Sequence, residues 1–374
     1  MELSQLALEE NPFFALGERY QALHQKLHLK SLPQGLSDQE RSERALRWSA
    51  EQARRVPGAM GALLTVQGTL ARCAEYQLHT EGKLFRGRLA LAAARFFQLE
   101  TEVALQLACA TEFIHNASLI HDDIQDQDEM RRNRPTIWRK YGANSALLLG
   151  DLFLSKAYEA LGAIGASHHR GRFLNGLMGE KVSQLIQGQS DELEHQGDLD
   201  LPFSTYEQIA MSKTSVLLSF PVEAVLLLAG RPDPERQRIK RTFDQFGLAY
   251  QIHDDIVDLC APRKGRDQAG SDVREGRTSA LILKFWEQAS PQMRAKFKRF
   301  FQDGERRRDP LQVAFWVQRI ADSQALEESF QYLSETLTSC RAEALALPAP
   351  LNSFMLLVVS QLEKQIRPTQ KRTS

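Results

Sequence analysis

The sequence predicts an all-α protein built as one large helical domain. Three observations predict it. Over 374 residues, strand-like alternation is scarce, while long stretches carry apolar residues at helical spacing. The breaks between those stretches fall at proline and glycine. No repeat of solenoid length and no long low-complexity linker divides the chain.

Taken in order, residues 1 to about 40 read as a peripheral segment. There "SLPQGLSDQE" pairs a turn with an N-cap signal, so Ser37 should open a helix. "LLTVQGTLARCAEYQL" reads as the next helix. Thr101 to about Gln125 is apolar nearly all round, which predicts a deeply buried helix. Further helices are expected near 143–163, 170–194, 204–229, 234–260, 278–290 and 309–345. The basic run "MRAKFKRFFQDGERRRD" reads as a solvated helix face and loop, and "RPTQKRTS" as a frayed basic tail.

Composition narrows the function. Lys+Arg and Asp+Glu both number 47, which argues against a bulk nucleic-acid binder. "MELSQLALEENPFF" is acidic and shows neither the basic start nor the cleavage site of a signal peptide. "SVLLSFPVEAVLLLAG" holds a proline and a glutamate and is too short for a convincing membrane span, so no stable membrane anchor is expected. Cys73, Cys109, Cys260 and Cys340 are scattered, with no CxxC pair. A cytoplasmic location is the expectation.

The distinctive feature is an acidic phrase written twice. "SLIHDDIQDQDEM" and "YQIHDDIVDL" both contain His-Asp-Asp-Ile-x-Asp. Asp122, Asp123 and Asp126 stand at positions i, i+1 and i+4, and Asp254, Asp255 and Asp258 repeat the arrangement. On a helix, i and i+4 share a face. Each triplet closes an apolar helix, where the macrodipole is already negative and disfavours further negative charge. A divalent cation would compensate. Mg²⁺ takes one or two carboxylates and completes its shell with water and substrate phosphates. Two such helix ends facing each other could hold a metal cluster bridged by a diphosphate.

Cations flank the triplets. "MRRNRPT" follows the first, "EGKLFRGR" offers Lys83 and Arg86, and "MSKTS" offers Lys213 beside Thr214. Arginine forks match phosphate oxygens bidentately, and lysine acts as a point charge. Carboxylates beside several cations suggest two anionic phosphate groups with different holders.

With these motifs in order from about Gly82 to Thr278, the chain resembles the trans-isoprenyl diphosphate synthases of the polyprenyl synthetase family. The resemblance implies a helical bundle around a central catalytic cavity, of the isoprenoid synthase type. It implies a body over 41–350, with 351–374 a closing helix and basic tail. Asp122, Asp123 and Asp126 would hold Mg²⁺ with an allylic diphosphate, and Asp254 and Asp255 a further Mg²⁺, with Asp258 behind them; three ions per site are implied. Arg131 and Lys213 would contact the allylic diphosphate. Lys83, Arg86, His115 and Arg132 would hold isopentenyl diphosphate. Thr214 and Gln251 would turn dipoles toward the developing carbocation. A homodimer is also implied.

The chain departs from the family pattern in places. Asn133 stands for a usual glycine, and the left-handed turn should survive because Asn tolerates that conformation. Arg277 stands for a usual lysine and keeps its charge toward substrate. Whether Lys264 or Arg266 replaces a second family lysine is open. Ala117 and Ser118, one turn before Asp122, would form a small-residue gate favouring a product of about C20 or longer. A terpene cyclase or atypical prenyl-condensing enzyme on the same scaffold, or a non-catalytic synthase subunit, is the competing reading. The six retained aspartates weigh against the last.

Overall fold

The computed structural model describes residues 12–25, 27, 38–79, 82, 84–260 and 269–366. Four helices lead in: α1 (Pro12–Gln25), α2 (Gln39–Gln52), α3 (Val56–Leu63) and α4 (Gly68–Leu78). The bundle centre follows: α5 (Phe85–Phe96), α6 (Thr101–Gln125), short α7 (Ile137–Tyr141), α8 (Ala143–Ser167) and α9 (Leu174–Glu194). Next come α10 (Phe203–Ala210), α11 (Val216–Leu228) and α12 (Asp233–Cys260). The remainder is α13 (Ser271–Glu275), α14 (Ala280–Gln288), α15 (Pro291–Phe301), α16 (Gly304–Arg307), α17 (Pro310–Ala321), α18 (Ala325–Leu345) and α19 (Leu351–Ile366).

The two acidic phrases close α6 and α12, as the apolar pattern leads one to expect. Between these helices sits α11, which packs on α5, α6, α9 and α12. That surround explains why its sequence is apolar on every side: Val216 to Leu226 is buried without a break. α6 packs chiefly on α8 and α5, and α12 on α18. Among the described residues, two helical stretches, Thr101–Gln125 and Phe203–Leu228, are long and apolar enough to cross a membrane, and 72% of each apolar window is buried inside the protein.

Several expected boundaries shift. The helix expected over 204–229 contains a π turn at Met211–Ser215. The one expected over 309–345 is two helices, because Asp322 to Gln324 break it. The terminal helices are more than trim. α1 buries Leu16 and Tyr20, which corrects the reading of that part of the first 40 residues as peripheral. α19 buries Leu351, Phe354 and Met355, with Phe354 stacked on Phe96 at 4.7 Å. The core therefore runs across the boundary expected at residue 351. The basic run behaves largely as a solvated face: on α15, Phe297, Phe300 and Phe301 point inward and Lys296, Lys298 and Arg299 outward. Ser37, Lys83, Lys264, Arg266 and the tail from residue 367 lie outside the described residues.

Among the described residues, extended structure is one hairpin, β1 (Met130–Arg131) with β2 (Arg134–Pro135), in register Arg131 to Arg134. Its two loop residues, Arg132 and Asn133, have φ of 52° and 62°. Positive φ at both central residues is what lets a two-residue hairpin follow the strand twist, and Asn adopts it readily. The absence of glycine at 133 is thereby accommodated. The hairpin is held from outside by Tyr76. Arg134 and Lys140 lie over its ring, at 4.1 and 3.8 Å from the centroid, and its hydroxyl donates to Pro135 O at 2.9 Å.

Candidate active site

The two acidic triplets divide by burial. Asp122, Asp126 and Asp254 keep partial exposure, while Asp123, Asp255 and Asp258 are buried. The buried three are committed to protein donors. Asp123 accepts from Arg131, which also lies 3.7 Å from Asp128. Asp255 accepts from Tyr206 Oη at 2.7 Å, Ala280 N at 2.8 Å and Gln251 Nε2 at 2.9 Å. Asp258 accepts from Ser271 Oγ and from Asp272 N, the latter at 2.9 Å. Asp255 and Asp258 thus spend hydrogen bonds on protein donors inside the fold, where the resemblance implies a metal ligand at 255 and a place behind it at 258. The i, i+4 rule places Asp258 beside Asp254, but the start of α13 folds back and captures it.

Burial dominates the electrostatics. It pushes the Asp122 carboxyl up to about 6, against the pull of Lys213. It pushes Asp123 up to about 6, against Arg131, and raises Asp126, against Arg277. Asp255 is pushed up to about 7 by burial, with its three donors working the other way. Carboxylates held this way are short of positive charge.

One cavity joins residues from both halves of the sequence. Asp126, Glu192, Lys213, Gln251, Arg277 and Thr278 line it. Lys213 pairs with Glu192, and Thr214 is half-buried beside it in the π turn. π turns recur at functional sites because they redirect side chains inside a helix. Arg277 reaches Asp126 across 3.3 Å and Glu275 across 2.8 Å.

A second cavity, of about 410 Å³, carries the cations. Arg86, His115 and Arg132 line it, with Gln77, Glu112, Asn116 and Tyr250. Arg86 Nη1 lies 3.2 Å from His115 Nε2. Arginine has donors only, so Nε2 accepts and the imidazole proton sits on Nδ1. His115 is held well below its ordinary pKa by burial and then by Arg86, Arg132 and Arg131, so it is neutral. His115 Nδ1 and Arg86 Nε are both buried without a protein partner. Buried donors left open in this way suit an anion with several oxygens. Gly82 leaves room for Arg132, whose Nη1 would stand 2.7 Å from a Cβ there.

The sequence reading missed Glu112, buried one turn before His115. It accepts from Gly87 N at 2.7 Å, and burial raises its pKa. An acid inside an otherwise apolar helix was the available signal. Tyr206, which donates to Asp255, and Tyr250, which lines the basic recess, were not singled out from the sequence.

Among the described residues, no three His, Cys, Asp or Glu side chains form a self-sufficient metal cage. The donor set nevertheless fits Mg²⁺. Asp122, Asp126 and Asp254 are hard oxygen donors with partial exposure, and this ion characteristically shares its shell with water and substrate phosphate.

Fold and site together define a helical enzyme of anionic substrates, with an acidic cleft and a separate basic recess. A family model for polyprenyl synthetases matches residues 67–316, and the chain belongs to that family of prenyltransferases. It is 31% identical over 229 residues to a short chain isoprenyl diphosphate synthase of Methanothermobacter thermautotrophicus, covering 61% of this chain and 70% of that protein. Its fold is similar to the decaprenyl diphosphate synthase from Rhodobacter capsulatus, with TM-score 0.75 and 23% identity over 87% of this chain and all of that one. It is also similar to the Caulobacter crescentus polyprenyl synthase complexed with calcium and isoprenyl diphosphate, with TM-score 0.74 and 22% identity over 86% of this chain and 96% of that one.

Proposed function

We propose that the protein condenses isopentenyl diphosphate head-to-tail with an allylic diphosphate, giving a prenyl diphosphate of about C20 or longer. The observation that carries this reading is the separation of the two anion sites. The basic recess has open donors on Arg86 and His115, and the acidic cleft is flanked by Lys213 and Arg277. A reaction that ionises one diphosphate while holding another intact needs that division.

Arg86, His115 and Arg132 hold the isopentenyl diphosphate, with Lys83 from the neighbouring segment. Lys213, Arg277 and Arg131 hold the allylic diphosphate; Arg131 exchanges its pairing with Asp123 for substrate. Mg²⁺, three ions per site, would be held through Asp122, Asp126 and Asp254 and would supply the charge that neutralises the leaving diphosphate. The allylic C–O bond breaks with its electron pair leaving on diphosphate. The isopentenyl double bond then attacks the cation, a C–C bond forms, and a proton passes to the released diphosphate. Fixed donors and dipoles lower the barrier because they need no reorganisation as charge develops. Thr214 and the Gln251 carbonyl face the cation, while the Gln251 amide stays on Asp255.

The growing tail runs along α6 past Ser118, which is half-buried, whereas Ala117 is buried in the core. The gate is therefore Ser118 rather than the pair. The protein acts as a homodimer in the cytoplasm. Leu147 and Leu148 on α8 and Ile186 on α9, exposed by 47%, 60% and 61%, support such an apolar contact.

The test is incubation with labelled isopentenyl diphosphate, allylic primers of increasing length and Mg²⁺, with products sized by chromatography. Head-to-tail products of C20 or more are expected. Cyclic hydrocarbons, or no incorporation of isopentenyl units, would overturn the reading.

A further inference from the structure

We propose that Arg307, distant in sequence from both aspartate triplets, is the positioning residue for Arg277. This rests on the proposed role of Arg277 toward the allylic diphosphate. Residues 269–278 form a strap that is pinned to Asp258 on α12, turns through α13 and delivers Arg277 to Asp126, so it ties the second acidic helix to the first. A strap that places one guanidinium needs both ends fixed. Its first end is fixed by Asp258. That carboxylate takes Ser271 Oγ and Asp272 N, while Asp258 O accepts from Gly270 N at 2.6 Å.

Its second end is fixed by Arg307. The amides of Gly276 and Arg277 both turn back onto Asp272 O, the latter at 2.9 Å, so the chain leaves α13 through a left-handed residue, Gly276, with φ of 69°. Arg307 Nη1 donates to Arg274 O at 3.0 Å, inside that closing turn. The same guanidinium lies against the bare face of Gly276, where a Cβ would stand 2.7 Å from Arg307 Cζ. Gly276 supplies the backbone angle and lets Arg307 lie flat against it. Immediately beyond, Arg277 crosses to Asp126 at 3.3 Å, and Thr278 Oγ1 donates to Asp198 O at 3.2 Å. Arg307 touches neither acidic triplet. Its planar fork reaches a carbonyl and covers a glycine at once, which a lysine cannot do.

The test compares R307A, R307K, R277A and the double variant R277A/R307A in the full chain, varying the two substrates separately. Misplacing a catalytic group by about an ångström costs up to about 100-fold. R307A should therefore lose about 10- to 100-fold in kcat/KM for the allylic diphosphate, with the isopentenyl diphosphate KM within about twofold. R307K should recover part of that loss. The double variant should be no worse than R277A, because both act through one group. Multiplying losses, or equal effects on both substrates, would overturn the proposal. Amide exchange gives a readout independent of activity. R307A should speed exchange at Arg277 N–H while Asp272 N–H, held by Asp258, stays slow. Unchanged exchange at Arg277 in R307A would also overturn it. R307K serves the same comparison should R307A fail to fold. A wild-type chain that makes no prenyl product would count against the proposed function, while the exchange experiment would still decide whether Arg307 anchors the strap.

Discussion

Ser118→Phe places a ring on the face of α6 that the growing tail must pass. Ser118 precedes Asp122 by one helical turn, so the ring would stand about 6 Å along the axis from the first carboxylate. Each isoprene unit requires about one further turn of depth, about 5.4 Å. A C20 tail therefore extends about four turns, toward Leu107, whereas the ring closes the path after the first or second unit. Products of C10 to C15 are expected in place of the longer ones. The first condensation should persist within about threefold, because Ser118 holds no phosphate and its hydroxyl only donates to His115 O at 2.9 Å. Overpacking adds a stability cost of about 1–3 kcal/mol. The assay is product sizing with labelled isopentenyl diphosphate, alongside a melting curve for the variant. An unchanged product distribution in a folded, active Ser118→Phe protein would refute the path of the tail along this face.

Asp255→Ala strands Tyr206 Oη and Ala280 N in the interior and should cost about 2–4 kcal/mol in urea unfolding, whereas Asp254→Ala should leave stability within about 0.5 kcal/mol while abolishing turnover. Burial raises Asp255 to about 7, so its neutral form favours the fold; that contribution is complete below the ordinary value of 3.8 and is lost as pH rises through 7. Asp255→Asn should flatten the fall in metal-free stability across that window, since an amide oxygen can still accept from Tyr206 and Ala280 and a flipped Gln251 can meet its amine. Lys181 and Glu223 form a buried pair at 2.6 Å between α9 and α11; Lys181→Met alone should cost about 3–5 kcal/mol, and adding Glu223→Leu should recover most of it in the same unfolding assay. A chelator should abolish product formation and added Mg²⁺ restore it; turnover undiminished by chelation would remove the metal from the mechanism.

The helical fold was legible because the apolar spacing is long-range and repetitive. The acidic phrases were legible as the ends of α6 and α12. Their division of labour was hidden. Local periodicity places Asp258 beside Asp254, and only residues thirteen and fourteen positions later, Ser271 and Asp272, take its oxygens inward. The π turn was hidden for a related reason: "MSKTS" continues a helical stretch, and nothing in its composition distinguishes i→i+5 hydrogen bonding from i→i+4. Arg307 was read with its neighbours as solvated charge. Arg306 and Arg308 do face water, and only Arg307 turns inward.

The π turn between α10 and α11 also sets a rule for how this chain tolerates insertion and deletion. An α-helical turn holds about 3.6 residues, so a π turn stores a surplus residue inside what is otherwise a continuous rod. Removing one residue from Met211–Ser215 would let the rod relax to ordinary geometry, with no gap to close and no loop to shorten. Because the wide turn absorbs that residue, α10 and α11 would keep close to their present rotation, and Tyr206 would stay on Asp255. The loss would fall on the bulge itself, where Lys213 and Thr214 would return to ordinary helical positions and Lys213 would give up its place beside Glu192. A single-codon deletion that improves the local helix would thereby spare the bundle and disarm the cleft.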